Sequence, residues 1–307
     1  MPCDDAPEPG RAAGDQPLDA RTVRPRSALP TAGDGLPTLY RDRSFWGMTV
    51  TQFLGAFNDN LFKQIILLLA LKVAAQDRQW EAMFVFSAPF VIFSGYAGYL
   101  ADRYSKRAII VLSKVAEILV MLGGLAAFLA FGLSGFPGLL VVLFLMGAQS
   151  AFFGPSKYGI LPEMLRPQDL PRANGVILMT TFLAIIFGAV LAGFLCDLAT
   201  GATLPLAETA HRLWLASAVC VAIAVAGTLT SLWVRQVPAA APRLPFRWSA
   251  LTVPPDSRQM LRADRPLLGA VLASSIFWLV AGVASPSVNS LGKLQLELSD
   301  TGTSILQ

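Results

Sequence analysis

Seven stretches of this sequence are apolar for long enough to cross a lipid bilayer, and nothing else in it restricts the fold as much. A helix needs about 20 apolar residues to span the hydrocarbon core. The stretches run from Phe45 to about Leu71, then Ala82–Ala101, Ala108–Phe131, Leu139–Phe153, Ala173–Cys196, Leu213–Val234, and Leu267 to about Leu291. The fourth is short and is lengthened by apolar residues beside it. Hydrocarbon offers no water to backbone N–H and C=O groups, so each stretch must close its own hydrogen bonds as helix. The reading is an all-α membrane protein with seven transmembrane helices. Composition agrees: 14% of residues are charged, against about 25% in a soluble domain.

The basic residues fix an orientation. With a cytoplasmic N-terminus, the inside segments hold eighteen Lys and Arg. They lie before the first span, between the second and third (Arg103, Lys106, Arg107), between the fourth and fifth (Lys157, Arg166, Arg172), and from Arg235 to Arg265. The outside segments hold four: Lys72, Arg78, Arg212 and Lys293. That asymmetry follows the positive-inside rule. The net charge of +4 therefore reflects membrane topology, and nucleic acid is not an expected partner because the basic residues do not cluster on a soluble module.

Four regions are expected. Residues 1–40 contain seven prolines and almost no large apolar side chains, so they read as a disordered cytoplasmic tail. Residues 41–235 carry six spans. Residues 236–266 form a Pro- and Arg-rich cytoplasmic linker, and 267–307 hold the seventh span and the loop after it. Six helices, a long basic linker and a new helix fit a transporter of two six-helix halves. On that reading the chain is the N-terminal half plus helix 7, without the C-terminal half. Cys3, Cys196 and Cys220 have no paired or ligand-like spacing, and His211 is the single histidine. No metal site, cofactor or catalytic constellation is expected from this set.

Three motifs carry chemistry. The first is the loop from Gly98 to Arg107, Gly-Tyr-Leu-Ala-Asp-Arg-Tyr-Ser-Lys-Arg. Gly98 would let helices approach closely. Asp102 would accept from N–H groups at a helix N-terminus. Arg103, Lys106 and Arg107 would sit at the cytoplasmic face, and the plainer alternative is an ordinary positive-inside turn. The second is the polar run Asn58, Asp59, Asn60 and Lys63 inside the first span. An ionisable group there is costly unless paired, so it marks function by default. Asp59 and Lys63 lie four residues apart on one helix face and could pair with each other. The plainer alternative is a structural ion pair that fixes helix packing. Lys114 and Glu117, three apart in the third span, could line a cavity or pair structurally. The third motif leaves the fourth span: Pro155, Ser156, Lys157, Tyr158, Gly159 and, further on, Glu163. Pro155 and Gly159 would break the helix near the membrane surface. Lys157 and Tyr158 suit interfacial anchoring, with or without a lipid phosphate as ligand.

The Gly98–Arg107 loop resembles the signature loop of the major facilitator superfamily. The Asn58-Asp-Asn60 element, the Pro155-Ser-Lys-Tyr-Gly-Ile-Leu161 element, Arg172-Ala-Asn174-Gly and Ser275-Ile-Phe-Trp278 together resemble the lysophospholipid transporter family within it. They are most like the transporter part of proteins fused to an acyl-acyl carrier protein–phospholipid acyltransferase. The resemblance implies a major facilitator fold, a multi-pass inner-membrane location, and inward movement of lysophospholipid by alternating access, with the loop latching the two halves in one state. It also implies an acyltransferase partner or fused domain. The other readings are a proton-coupled facilitator for another solute or drug, and a stand-alone fragment. Some relatives carry an arginine within helix 7, and this segment has none through Leu291.

Overall fold

A computed structural model describes residues 37–72, 77–199, 205–246 and 255–307. Most of the expected tail (1–36) and residues 247–254 of the linker lie outside them. Among the described residues, seven helices are long and apolar enough to cross a membrane. They are α1 (Arg43–Ala70), α2 (Gln79–Arg103), α3 (Lys106–Leu129), α4 (Phe131–Gly159), α5 (Leu170–Ala199), α6 (Trp214–Ser231) and α7 (Arg265–Ser290). Four shorter helices join them: Leu161–Met164, Leu206–Arg212, Pro255–Ala263 and Asp300–Ile305. No strand is present among the described residues.

The boundaries follow from local chemistry. Asp42 caps α1 by accepting from Ser44 N at 2.8 Å, which satisfies one of the free N–H groups of the first turn. Asp264 does the same for α7 through Leu267 N at 3.0 Å. The fourth span is much longer than the sequence suggests. α4 begins at Phe131 and passes through a kink at Gly135, whose φ of 57° suits a residue without a side chain. Gly132, Gly135, Pro137 and Gly138 mask this first section in the sequence, because they weaken helix propensity without removing apolar character.

The packing has an internal two-fold pattern. α1 packs on α5 and α6, α4 packs on α2 and α3, and α3 meets α6. Exchanging helices 1–3 for 4–6 maps this set of contacts onto itself, as expected of two three-helix repeats. Small residues allow the close approaches. A Cβ on Gly188 of α5 would lie 2.6 Å from Phe57 O of α1, and one on Gly147 of α4 would lie 2.3 Å from Phe86 O of α2. These are packing surfaces of the small-residue type found between membrane helices. α1 is the most enclosed span, with Leu61, Phe62 and Ile65–Leu68 all buried in the larger apolar cluster. α7 is exposed along almost its whole length, and Asn289 is its one buried residue.

Candidate functional site

The polar run of α1 does not act as one group. Each residue of a helix turns about 100° from the last, so successive side chains meet different neighbours. Asn58 points toward α3, where its Nδ2 donates to Glu117 Oε1 at 2.8 Å. Asp59 points toward α4, accepting from Ser150 Oγ at 2.6 Å and from Gln149 Nε2 at 3.5 Å. Asn60 turns back on its own helix, donating to Ala56 O at 2.7 Å. Lys63 donates to Asn60 Oδ1 at 2.8 Å and lies 5.4 Å from the Phe86 ring. The ion pair between Asp59 and Lys63 that their spacing allows is not formed. Asn60 supplies the acceptor for Lys63, and α4 supplies the donors for Asp59.

Lys114 and Glu117 do pair, and the pair is enclosed, at 2% and 1% side-chain exposure. It is joined to α1 through Asn58, the residue next to Asp59. Room for the lysine comes from two glycines: a Cβ on Gly55 of α1 would lie 3.0 Å from its Nζ, and one on Gly227 of α6 would lie 2.9 Å from its Cε. A charge in such a place is tolerable only when paired and hydrogen-bonded. Glu117 therefore takes Lys114 on one oxygen and Asn58 on the other. Asn58 Oδ1 is buried and has no hydrogen-bond partner among the described residues.

The motif after the fourth span departs from expectation. Pro155 does not break α4, which continues to Gly159. A proline removes only one bond of the ladder, and here the packed neighbours hold the helix together. The lysine stem of Lys106 lies against Gly159, where a Cβ would come within 2.8 Å. Ser156 is buried, Lys157 half-buried and Tyr158 exposed, with Lys157 Nζ 4.7 Å from the Tyr158 ring. Asn174 is exposed near the start of α5. Glu163 pairs with Lys106, so the α2–α3 loop and the segment after α4 form one structure.

In the Gly98–Arg107 loop two expectations change. A Cβ on Gly98 would meet nothing within 4 Å, so this glycine mediates no close approach among the described residues. Asp102 lies in the last turn of α2 with its side chain exposed, not at a helix N-terminus. The basic residues instead grip the strand of chain after α6. Arg103 binds Tyr99 OH and Leu244 O, and Arg107 Nη2 donates to Leu232 O at 3.1 Å. Ser105 Oγ donates to Val237 O at 2.8 Å, and Ala241 N donates to Asp102 O at 2.8 Å.

Several residues of these networks escaped the reading of the sequence. Gln149 and Ser150 hold Asp59, yet they are neutral and sit in an apolar run. Gln64, Gln79 and Asn289 join three helices, as amides rather than charges. Their signal was present: a neutral hydrogen-bonding side chain inside a span also needs a partner.

An internally repeated six-helix unit, a seventh helix beyond a linker, and ionisable side chains held between spans define a multi-pass membrane protein. The chain belongs to the Major Facilitator Superfamily, whose pattern matches residues 36–306. It is 29% identical over 249 residues to the Lysophospholipid transporter LplT of Serratia proteamaculans, covering 79% of this chain and 57% of that protein. It is 32% identical over 209 residues to the Lysophospholipid transporter LplT of Salmonella paratyphi B, covering 66% and 46%. The chain thus spans about half the length of the curated relatives it matches. Among solved structures, a POT family transporter in complex with a thioalcohol-conjugated peptide aligns with a TM-score of 0.49 at 17% identity, over 84% of this chain and 52% of that one.

Proposed function

We propose that the protein takes part in moving lysophospholipid across the bacterial inner membrane by alternating access, with its N-terminus in the cytoplasm. The observation that carries this is Asp59. It lies within the membrane on α1, and its nearest donors, Ser150 and Gln149, are both neutral. No Lys or Arg among the described residues reaches ion-pair distance of it. A carboxylate in that position is suited to a cationic guest, and the ammonium of an ethanolamine head group has the right charge and donors. The relatives named as lysophospholipid transporters support this substrate class. Residues 41–235 act as one six-helix half, residues 236–266 as the linker, and residue 267 onward begins the second half. An acyltransferase, fused or separate, is the reaction partner suited to consume the imported lysolipid.

The test is uptake of labelled lysophosphatidylethanolamine by membrane vesicles containing the protein. Asp59→Asn should lower uptake to below about one-tenth while the amount inserted in the membrane is unchanged. Uptake by that variant at the unaltered rate would overturn the assignment.

A further inference from the structure

Between Phe53 and Lys63, among the described residues, α1 makes hydrogen bonds to other helices through Asn58 and Asp59 alone. The two are neighbours in sequence and point about 100° apart around the helix. Asn58 is fully buried and reaches Glu117 of α3, whereas Asp59 reaches Ser150 and Gln149 of α4. On the α5 side the contact at this level is steric, since a Cβ on Gly188 would lie 2.6 Å from Phe57 O. A steric contact limits distance but leaves a helix free to turn, while a hydrogen bond fixes direction. Apart from the contacts of Asp59 itself, the bond from Asn58 to Glu117 therefore sets how α1 is turned at this level. Glu117 cannot swing away. Its other oxygen holds Lys114, whose stem lies between Gly55 of α1 and Gly227 of α6, with Nζ 6.0 Å from the Phe153 ring of α4. Thr228 Oγ1 of α6 donates to Lys114 O at 3.0 Å. Four helices thus meet around one enclosed ammonium–carboxylate pair.

We infer that Glu117, held by Lys114, is a positioning residue for Asp59: through Asn58 it sets the rotation of α1 and so aims the Asp59 carboxylate at the substrate head group. The inference rests on the reading of Asp59 given above. The geometry is sensitive. Turning α1 by about 20° moves an atom roughly 6 Å from the helix axis by about 2 Å, which is enough to break a hydrogen bond. An ion pair suits a fixed bearing better than a neutral amide does. A carboxylate with one oxygen on an ammonium still accepts strongly on the other, and a buried pair has no water to exchange with. At 2% and 1% side-chain exposure the pair itself is out of reach of a substrate, so its influence passes through Asn58.

Two double variants separate positioning from charge balance. Lys114→Leu with Glu117→Leu removes both charges and the acceptor for Asn58. Lys114→Leu with Glu117→Gln removes both charges but keeps an acceptor, and its amide can also donate to Asn58 Oδ1, which is buried without a hydrogen-bond partner among the described residues. The first readout needs no substrate. In a chain with Cys3→Ser, Cys196→Ala and Cys220→Ala, Asp59→Cys and Ser150→Cys are oxidised to a disulfide with copper phenanthroline. Phe93→Cys with Phe152→Cys, whose native rings stack at 5.6 Å between α2 and α4, is the control pair. The Leu–Leu variant should form the α1–α4 disulfide at least about threefold more slowly than the Leu–Gln variant, with the control pair unchanged. The second readout is uptake in the chain that keeps Asp59. The Leu–Leu variant should raise the half-saturating concentration of lysophosphatidylethanolamine at least about fivefold, and the Leu–Gln variant should restore it to within about twofold of the parent. Equal α1–α4 disulfide rates in the two variants, a control pair slowed as much, or equal half-saturation would each overturn the positioning role. A slowed α1–α4 disulfide in a protein whose parent takes up no lysophosphatidylethanolamine would keep the positioning and sink the substrate assignment.

Discussion

At Glu117 one side chain serves two partners, Lys114 and Asn58, in a place that water does not reach. Removing it alone strands a buried ammonium, and removing both charges strands none. Glu117→Leu should therefore destabilise the protein by about 3 kcal/mol or more, and Lys114→Leu with Glu117→Leu should be clearly milder. Thermal unfolding of the purified variants in detergent measures both. A double variant as damaged as the single one would show that the pair does more than neutralise itself. The sequence made this pair visible through its three-residue spacing. It could not show that Asn58 completes it, because that contact depends on how α1 is rotated against α3. Asp59 and Lys63 share one face of α1, and their four-residue spacing suggested a partnership, but Asp59 takes its donors from Ser150 and Gln149 of α4 and Lys63 its acceptor from Asn60.

Helix pairs depend on single glycines, and two glycines of α5 make the contrast. A Cβ on Gly188 would strike Phe57 O at 2.6 Å, whereas one on Gly175 would meet nothing within 4 Å. Gly188→Ala should cost about 1–3 kcal/mol of stability by forcing α1 and α5 apart, and Gly175→Ala should be neutral or slightly stabilising. Equal unfolding temperatures for the two variants would refute this account of the α1–α5 contact. Gly188, Ala189, Ala192 and Gly193 put small residues four apart on α5, and all four are buried. Which side of this face meets α1 and which meets Asp300 was not legible in the sequence, since both have the same composition. Span lengths behaved similarly. The apolar runs located the seven spans, but Pro155 and the glycines near Pro137 suggested ends that packing overrides.

For the whole molecule, the chain after α6 acts as a strap across the α2–α3 loop. It is held by backbone carbonyls of Leu232, Val237 and Leu244 and by the amide of Ala241. Phe246 adds edge contacts to Tyr96 and Tyr99. Hydrogen exchange should thus find the Ala241 amide protected at least about tenfold relative to a free linker amide. Arg107→Ala and Ser105→Ala together should reduce that protection. An Ala241 amide exchanging at the free rate would mean that the strap is open in solution. The composition of the linker suggested only a basic connector. Its role against the loop appears once α6 delivers it to the ends of α2 and α3.

The sequence by itself determined the number of spans, their helical nature and the uneven distribution of basic residues between the connecting segments. These are local consequences of excluding water: each run of about 20 residues meets the hydrocarbon on its own terms, whatever its neighbours do. It also carried the motifs that place the chain in its family. Only the tertiary structure decided which polar groups meet: Asn58 with Glu117, Asp59 with Ser150, Asn289 with Gln64 and Gln79, and the loop with the strap. Those pairings depend on the rotation and depth of whole helices, which are set by glycines and apolar side chains tens to hundreds of residues away. A polar residue in a span announces that it needs a partner. The partner's identity is fixed by the packing of the bundle.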